Sequence, residues 1–316
     1  MTTLDGVHPR TGHQTAARPG TGSTDRVRTA VVAGSAAMVL VGSSAAMSAR
    51  IAEQTLFTAQ AVRYAAACLI LLLLARARRV PVHRPRGREW AWLGGVCGSG
   101  LVLFNIAMVH GARHAEPAVL GVAVACVPLL LAVVAPLQAG HRPSRRVLLA
   151  AGLVTCGAAG VQGFGRSDVA GIGWAVVIFA TEAGFTLLAV PVLGRHGAWG
   201  VSLHTTWMAA AGYGLLGVVV EGPGTVTRLG TGQWLAAGYL AVAVTALAFL
   251  LWYSAVRRLG AGRAGLLTGI TPVAAALAGT VLGAPAAGAG VWLGIGVVVG
   301  GLLLGLGDRG AGPAGG

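Results

Sequence analysis

Charged side chains are scarce in this sequence, and lysine is absent altogether. Only 10% of the 316 residues are charged, and nine acidic residues stand against 23 arginines. A soluble domain normally carries charge on roughly a quarter of its residues, so a large soluble domain is excluded. Apolar residues instead make up 55% of the chain, and its mean hydropathy is +0.75. This balance indicates a membrane protein.

The residue patterns that carry catalysis are also missing. No phosphate-binding loop or nucleophile elbow occurs, and the few acids form no paired-carboxylate site. We therefore predict no enzymatic activity, no metal and no cofactor. The lack of an ATP-binding domain points to an ion or substrate gradient as the driving force. The cysteines lie inside apolar segments without the spacing of metal ligands, which is typical of small buried residues: Cys68, Cys97, Cys126 and Cys156.

Long apolar runs account for most of the chain. A membrane-spanning helix needs roughly 20 mostly apolar residues, and ten segments approach or exceed this length. They are residues 29–49, 57–75, 90–110, 117–138, 147–164, 171–193, 199–220, 233–255, 264–283 and 288–307. The fold class predicted is an all-α integral membrane protein with ten transmembrane helices. Residues 1–28 are predicted to form a disordered cytoplasmic tail, and residues 308–316 a short cytoplasmic tail.

The arginines are distributed unevenly over the two membrane faces that ten spans define. Eighteen lie on the face of the two chain ends, four lie on the other face, and Arg63 lies within a span. Cytoplasmic loops carry an excess of basic residues, so both termini are predicted to be cytoplasmic in a multi-pass protein of the cell (inner or plasma) membrane. The lipid bilayer then explains the net charge of +14, and no nucleic acid partner is expected.

The sequence repeats itself at an offset of 144 residues. FTAQAVRYAAAC aligns with VSLHTTWMAAAG, and the same offset places Pro128 on Pro272. Five spans per repeat is an odd number, so the second repeat, residues 166–307, enters the membrane in the opposite sense to the first, residues 29–165. Inverted repeats are typical of secondary transporters with a site near the midplane. A duplicated bundle with another function is the alternative.

Two stretches carry a family resemblance. LLWYSAVRRLGAGRAGLLTGITPVAAALAGTVLGAPAAG, residues 250–288, resembles the second repeat of the EamA-type family in the drug/metabolite transporter superfamily. VGSSAAMSARIAEQTLFTAQAVRYAAA, residues 41–67, is similar to the first repeat. The resemblance covers about residues 29–307. It implies two inverted five-helix repeats, a central cavity between them, and transport of a small metabolite across the inner membrane.

The chain departs from the pattern of that family in three places. Ser44 stands where the first helix usually carries an asparagine, in a Trp-Gly-x-Asn motif that here reads Val-Gly-Ser-Ser. His141 and Ala284 stand where an acidic residue usually follows a glycine at the ends of the fourth and ninth helices. Roles of those acids in the family cannot be carried over. The arginine near the start of the second helix is kept, as Arg63.

Glu182 is a carboxylate near the middle of the apolar run 171–193. A charge at this depth costs at least ~2.5–3.5 kcal/mol on insertion scales, so the side chain must face the bundle interior, be protonated or be paired. One interpretation is a proton-coupling or substrate-binding carboxylate, for which a proton and a cationic or amine-bearing substrate compete. The other is a structural partner for a buried donor such as Arg63, His204 or Asn105.

Other polar residues inside spans are candidates for the same site. Arg63 can act as an anion handle or gate, or as an anchor that snorkels or pairs with an acid. His204 and Trp207 share one helix face. The interpretations for this pair are that it lines the cavity, that it forms a gate, or that it belongs to an interfacial belt. Asn105, the only asparagine, contacts substrate or clamps two helices.

Pro128 and Pro272 occupy matching positions in spans four and nine. A proline inside a helix frees the carbonyl four residues earlier, here Val124 and Thr268. Such carbonyls are tolerated at membrane depth where they line a cavity or neighbouring groups satisfy them. We interpret the prolines as matched kinks that shape the cavity and permit rocking, with Thr268 and Thr271 adding hydroxyl groups. Kinks that serve packing alone are the alternative.

The sequence therefore predicts a secondary transporter that moves a small-molecule substrate by alternating access. Export is preferred from the family resemblance, and protons are the expected coupling ion through Glu182. A lipid or lipid-linked flippase and a non-transporting membrane interaction protein are the alternatives. The last span contains Gly296-xxx-Gly300 and Gly301-xxx-Gly305, which permit close helix packing within the monomer or in a homodimer.

Overall fold

The computed structural model describes residues 21–44, 55–281 and 288–307. In these ranges the chain folds into ten helical rods joined by short connections, and Ala115 and Ser167 form an isolated β-bridge between two of the loops. The rods are α1 (Thr21–Ser43), α2 (Leu56–Ala77), α3 (Glu89–Gly111), α4 (Pro117–Gln138), α5 (Arg145–Gln162), α6 (Val169–Leu187, continued by residues 190–196), α7 (residues 198–221), α8 (Thr231–Leu259), α9 (Ala261–Val281) and α10 (Ala289–Leu306).

The rods alternate in direction, so the connections fall at two ends of the bundle. One end, called the arginine-rich end below, carries the connections 78–88 and 139–144 and the turns at Gly197 and Gly260. The other, called the far end, carries the connections 112–116, 163–168 and 222–230. These names refer to the molecule alone and assign neither end to a side of the membrane.

Nine of the rods in the described part of the chain are long and apolar enough to cross a membrane. The remaining rod, α5, has 18 residues and begins with Arg145 and Arg146, which lower its average hydropathy. It nevertheless lies against α10 along its length. The predicted all-helical, ten-helix architecture is therefore confirmed, with α5 as its least apolar member.

The first rod begins earlier than its apolar residues indicate. α1 starts at Thr21, so residues 21–28 belong to a helix and the expectation that they form part of a disordered tail is wrong. A helix satisfies its own backbone hydrogen bonds, so polar residues can continue it beyond the apolar stretch. Residues 1–20, residues 45–49 of the predicted first span, and residues 308–316 lie outside the described residues.

One offset relates the two repeats over almost their whole length. Adding 144 to the bounds of α5, 145 and 162, gives 289 and 306, which are the bounds of α10. Adding it to α2 gives 200–221 against 198–221 in α7, and adding it to α4 gives 261–282 against 261–281 in α9. The register found in the sequence over residues 57–128 therefore extends to the helix ends without a gap.

Helices α3 and α8 each contain a stretch of π-helix at matching positions. The stretches are Cys97–Leu103 and Leu240–Leu247, and 97 + 144 and 103 + 144 give 241 and 247. A π turn widens the helix and displaces carbonyl groups from their regular partners, and such turns are frequent at functional sites. Both repeats thus carry the same irregularity in their third helix.

Proline and glycine determine where α6 ends. Pro191 cannot donate a hydrogen bond to the carbonyl of Leu187, and the first stretch of α6 ends at that residue. At Gly197 the backbone has φ 61° and ψ −176°, a conformation that residues with a Cβ rarely adopt. This glycine turns the chain from α6 into α7.

The matched prolines also lie beside helix irregularities. The two stretches of α4, Pro117–Ala125 and Val127–Gln138, are separated at Cys126, two residues before Pro128. In α9 a 3₁₀ turn, Leu266–Gly269, precedes Pro272. Each repeat therefore interrupts the regular α-helical pattern of its fourth helix shortly before the proline.

The fifth helices of the two repeats pack in direct backbone contact. A Cβ atom on Gly157 of α5 would lie 2.7 Å from the carbonyl oxygen of Gly294 in α10, and the converse contact is equally short. Gly301 would also meet α5, at the carbonyl of Ala150, whereas Gly296 has nothing within 4 Å of such an atom. Small residues let membrane helices approach this closely, so the contact joins the two repeats.

Candidate functional site

Glu182 lies midway along α6. The rod runs from residue 169 to residue 196, so fourteen residues, counting Glu182 itself, lie on its far-end side and fourteen on the other. At 1.5 Å per residue the carboxyl group is about 20 Å from either end of the helix. This is the depth at which ligand sites of inverted-repeat proteins occur.

The side chain of Glu182 projects to the interior of the bundle. Ile178, Phe185 and Ala189 are positions i−4, i+3 and i+7 relative to it, and all three are buried. The exposed residues of α6 include Ile172 and Val176, which at 3.6 residues per turn lie about 80° and about 120° around the helix from Glu182. Glu182 is nevertheless partly exposed. A partly exposed side chain on an inward face borders an internal space rather than lipid.

Glu182 has no polar partner among the residues that the structure describes. None of their Arg or His nitrogens lies within 4.0 Å of its carboxylate. The three donors proposed from the sequence are bonded elsewhere: Arg63 to Thr245, Asn105 to Tyr64, and His204 to the carbonyl of His83. None of these three donors is therefore a hydrogen-bond or ion-pair partner of Glu182 in the structure.

An aromatic cluster of α6 and α8 includes Phe185, which follows Glu182 by three residues. Phe185 is one helical turn away, and its ring centroid lies 5.0 Å from that of Phe249 and 5.1 Å from that of Tyr253. Tyr253 is 0% exposed, and its hydroxyl group donates to the carbonyl of Phe185 at 3.4 Å. A hydrogen bond of 3.2 Å from Trp252 Nε1 to Thr186 Oγ1 holds α8 against α6. The carboxylate and the three rings, Phe185, Phe249 and Tyr253, are called the Glu182 site below.

A second polar group of residues surrounds Arg63, about two turns from the far end of α2. Arg63 is 7% exposed. Its Nε donates to Thr245 Oγ1 on α8 at 2.9 Å, and its Nη1 donates to Gln60 Oε1 at 3.3 Å. The guanidinium carbon lies 5.0 Å from the ring centroid of Tyr64. No described carboxylate pairs with it, so neutral oxygens and an aromatic face stabilise this buried charge.

The group extends from α2 to α3 and α7. Gln60 Nε2 donates to Asn105 Oδ1 at 3.0 Å, and Asn105 Nδ2 donates to the carbonyl of Leu101 at 2.6 Å. That carbonyl also accepts from the Tyr213 hydroxyl at 2.9 Å, and Tyr213 stacks on Tyr64 with centroids 5.7 Å apart. The six residues of this Arg63 cluster are Gln60, Arg63, Tyr64, Asn105, Tyr213 and Thr245.

The Arg63 cluster touches both π turns. Thr245 belongs to the π turn of α8, and Leu101, whose carbonyl accepts two side-chain hydrogen bonds, belongs to that of α3. A π turn leaves carbonyl groups in need of new partners, and a buried carbonyl without one is costly. The polar side chains of α2 and α7 therefore satisfy groups that the two matched irregularities expose.

Comparisons with known proteins agree with this two-repeat architecture. The model of the EamA-like transporter family matches residues 28–162 and again residues 169–306. This chain belongs to the EamA-like transporter family. It is a multi-pass membrane transporter of the drug/metabolite transporter type.

Two individual relatives extend the comparison. The chain is 27% identical over 268 residues to the "Uncharacterized transporter YetK" of Bacillus subtilis (strain 168), covering 81% of this chain and 80% of that protein. A solved crystal structure, described simply as that of a protein, superposes with a TM-score of 0.74 at 19% identity, over 88% of this chain and 97% of the other. The latter likeness concerns the fold alone.

His204 and Trp207 lie away from the Glu182 site of the transporter, at its arginine-rich end. Trp207 Nε1 donates to His204 Nδ1 at 3.2 Å, and His204 Nε2 lies 2.9 Å from the carbonyl of His83. Trp207 is exposed and makes an edge contact with Trp90, with centroids 6.2 Å apart. These contacts bind the connection 78–88 to α7.

An ion-paired group lies beside them. Glu89 Oε2 lies 2.5 Å from Arg195 Nη1, 3.2 Å from His196 Nε2, and accepts from the backbone N–H of Arg86 at 2.8 Å. Glu89 begins α3 in the first repeat, whereas Arg195 and His196 precede the Gly197 turn in the second. The transporter thus joins its repeats through an acidic side chain at the arginine-rich end.

A similar contact at the far end was missed in the sequence. Glu221, the last residue of α7, accepts from the backbone N–H groups of Phe57 and Thr58 at 2.7 and 2.9 Å and from Thr58 Oγ1 at 2.6 Å. A carboxylate at a helix N-terminus satisfies free N–H groups and complements the helix dipole. The signal in the sequence was a lone acid at the end of an apolar run, but the helix that it caps is 163 residues away.

The threonines of α9 are bonded locally. Thr268 is buried and donates to the carbonyl of Gly265 at 2.8 Å. Thr271 donates to Met38 Sδ on α1 at 3.3 Å, and residue 38 is the repeat equivalent of Glu182, since 38 + 144 = 182. The structure therefore places the Thr271 hydroxyl group between α9 and α1 and that of Thr268 within α9, and neither is hydrogen-bonded to Glu182.

Two ion pairs join the connections 112–116 and 163–168 at the far end. Glu116 Oε1 lies 3.0 Å from Arg166 Nε, and Asp168 Oδ2 lies 2.9 Å from His114 Nδ1. The Arg166 guanidinium and backbone hold the pKa of Glu116 below its usual value. The N–H of Gly171 and then the His114 ring lower the pKa of Asp168. Among the described residues, these included, no three His, Cys, Asp or Glu side chains form a group that could hold a metal ion.

Proposed function

We propose that the transporter exports a small metabolite by alternating access, and that proton exchange at Glu182 drives the transport. The observation that carries the proposal is an inward-facing, partly exposed carboxylate without a polar partner among the described residues, midway along α6. A carboxyl group inside a membrane is a functional group by default. Its position lets it exchange protons with the internal space.

Alternating access follows from the inverted repeats. Polar contacts join first-repeat to second-repeat helices on both sides of the middle of the bundle. They are Glu89 with Arg195 at the arginine-rich end, Glu221 with α2 at the far end, and Arg63 with Thr245 between the far end and the middle. Opening either end requires breaking only the contacts at that end. We therefore assign the Arg63 cluster and Glu89 to the two gates, and Pro128 and Pro272 to the bends about which the repeats rock.

The arginine distribution supports placing both chain ends in the cytoplasm of a cell bounded by an inner or plasma membrane. In that orientation the Arg63 cluster is the outer gate and Glu89 is part of the inner gate. An inward proton gradient then supplies the driving force for export, since each proton that enters through Glu182 allows one substrate to leave.

The experiment compares metabolites inside and outside cells that express the wild-type chain or the Glu182→Gln variant at matched membrane levels. We expect at least one compound to accumulate outside wild-type cells and not outside variant cells. Glu116→Gln, which removes an exposed carboxylate at the far end, is the matched control and should export normally.

Two results would contradict the proposal. Equal export by Glu182→Gln and wild type would make Glu182 a structural residue in a transporter driven in another way. If neither protein shifts any metabolite, the same cells are tested for movement of labelled lipid between leaflets. A positive result there would favour a flippase, and a negative one a non-transporting interaction protein.

A further inference from the structure

We infer that His204 and Trp207 form a latch between the two repeats at the arginine-rich end, and that protonation of the His204 imidazole opens it. Trp207 lies on α7 of the second repeat, and its indole ring contacts that of Trp90, near the start of α3 in the first repeat. These three side chains are called the Trp207 latch below. The inference goes beyond the proposed function and does not depend on it, because the contact exists whether or not the chain transports a substrate.

Hydrogen bonds define the protonation state of His204 in the closed latch. The indole N–H group of Trp207 can only donate, and its Nε1 lies 3.2 Å from His204 Nδ1, so Nδ1 carries a lone pair. The proton of the neutral ring is then on Nε2, which lies 2.9 Å from the carbonyl oxygen of His83. One form of the ring, the neutral Nε2–H tautomer, therefore satisfies both contacts.

A second proton on His204 is incompatible with the closed latch. The proton would bind to Nδ1, so two N–H groups would face each other across the 3.2 Å contact, and neither of them can accept. Trp207 is 40% exposed, so its N–H group can bond to water once the ring has turned away from His204. The indole ring then leaves the edge of Trp90, whose centroid is 6.2 Å away in the closed latch.

The charged groups of α3 and α6 do not favour a second charge on His204. The His204 ring meets the edge of the His196 ring, with centroids 5.5 Å apart. Glu89 Oε2 on α3 lies 3.2 Å from His196 Nε2 and 2.5 Å from Arg195 Nη1. This carboxylate is therefore already paired with a guanidinium group, and it is not hydrogen-bonded to His204.

The remaining elements around the latch contribute positive charge or none. Their titratable or charged groups belong to the connection 78–88, α2 and α8: His83, Arg84, Cys68 and Arg257. A thiol is neutral near pH 7. Arg195 Nη2 donates to the carbonyl of Arg84 at 3.4 Å, and Arg257 Nη1 would lie 3.3 Å from a Cβ atom on Gly197, at the turn before α7. A protonated His204 would add positive charge to a group in which guanidinium groups already outnumber the carboxylate.

The effect of pH on the latch follows from these contacts. In the open latch the His204 ring meets water and takes up a proton in the ordinary range of histidine, near about pH 6.5, whereas in the closed latch the Trp207 N–H group occupies the position of that proton. A state that binds more protons is favoured as the pH falls. The latch is therefore closed in neutral and alkaline solution and opens in acid. In the orientation proposed above, acidification of the cytoplasm releases a contact at the inner end.

The test is fluorine NMR spectroscopy of the full-length chain in detergent micelles, labelled with 5-fluorotryptophan, between pH 8 and pH 5. The chain has eight tryptophans, and the spectra of Trp90→Phe and Trp207→Phe identify two of the resonances. We expect these two resonances to shift together along one titration curve, with a midpoint between about pH 5 and about pH 6.5, because one event separates the two rings.

The controls separate His204 from other histidines. His204→Gln keeps a side-chain N–H donor for the His83 carbonyl but has no titratable group, so it should abolish the shift of both resonances. His141→Gln removes an exposed histidine of the connection 139–144 at the same end, and it should leave the titration unchanged. If His204→Gln fails to fold, Trp207→Phe replaces it. Phenylalanine has no N–H group, so the Trp90 resonance should lose most of its shift.

Three results would overturn the inference. They are the absence of a shift in the wild-type chain, a shift of the Trp207 resonance alone, and equal shifts in wild type and His204→Gln. The last result would assign the proton to another group, such as His196. A Glu182-dependent metabolite shift in cells without this titration would refute the latch and leave the proposed function intact. The titration without a metabolite shift would support the latch and contradict the proposed function.

Discussion

Replacing Thr245 by valine tests whether the Arg63 cluster holds α2 against α8. The Thr245 hydroxyl accepts a 2.9 Å hydrogen bond from Arg63 Nε, Thr245 is 0% exposed and Arg63 is 7% exposed. Valine has nearly the same shape as threonine but no hydroxyl group. The substitution therefore leaves a buried, charged N–H group without its acceptor and creates no cavity.

The size of the effect follows from this geometry. A hydrogen bond to a charged group contributes about 1.5–3 kcal/mol, and water cannot replace the lost oxygen at a fully buried position. For large domains, 1 kcal/mol shifts the melting temperature by about 2 °C. The melting temperature of the Thr245→Val variant in detergent should therefore fall by about 3–6 °C.

The measurement follows thermal unfolding with a thiol-reactive dye, since Cys97 is 6% exposed in the folded chain and reacts when the bundle opens. Thr245→Ser is the matched control, because it keeps the hydroxyl group and loses only a methyl group. An unchanged melting temperature for Thr245→Val would refute the assigned hydrogen bond. An equal loss in both variants would also contradict the reasoning, because Thr245→Ser keeps the hydroxyl group.

Three further changes test other contacts. Glu221→Gln should speed hydrogen exchange at the first turn of α2, around Phe57. The charged cap of this helix would be lost, which costs about 2 kcal/mol. An unchanged exchange rate would show that Glu221 does not stabilise the start of α2. Gly294→Ala should destabilise the chain by about 1–3 kcal/mol through overlap with α5, whereas Gly296→Ala should not, as thermal unfolding will reveal. Because the pKa of Asp168 is lowered in the folded chain, its contacts should persist above its ordinary value of about 4 and weaken as the pH falls below it. Faster exchange of the connection 163–168 in acid, corrected for intrinsic rates, would verify this sign.

Much of the fold follows from local patterns of residue type in the sequence. A stretch of apolar residues specifies a membrane helix, because in lipid a single segment can satisfy its backbone hydrogen bonds only as a helix. Nine of the ten predicted spans therefore start and end within about four residues of the observed helices. The first span is the exception. The offset of 144 residues was visible because the repeats have kept their length. Glu182 was found for the same local reason, as a charge in an apolar run. The start of α1 was not predicted, because its first turns are polar and therefore do not appear as part of an apolar segment.

The partners of the buried polar groups could not be obtained in this way. Arg63 bonds to Thr245 across 182 residues, and Glu221 caps a helix 163 residues earlier. A sequence lists the donors and acceptors but not the angles at which helices pack. The donors suggested for Glu182 were chemically suitable, and each of them is bonded to another group.

The sequence by itself determined the membrane-spanning architecture, the inverted repeats and the presence of a costly carboxylate at mid-depth, since each depends on residue type and spacing along one helix. Only the tertiary structure decided that this carboxylate is unpaired among the described residues and that Arg63 bonds to Thr245 and Gln60 instead. That outcome depends on the rotation of α6 and α8 about their axes. Side-chain packing between helices from both repeats sets these rotations, and the hydropathy of neither helix contains them.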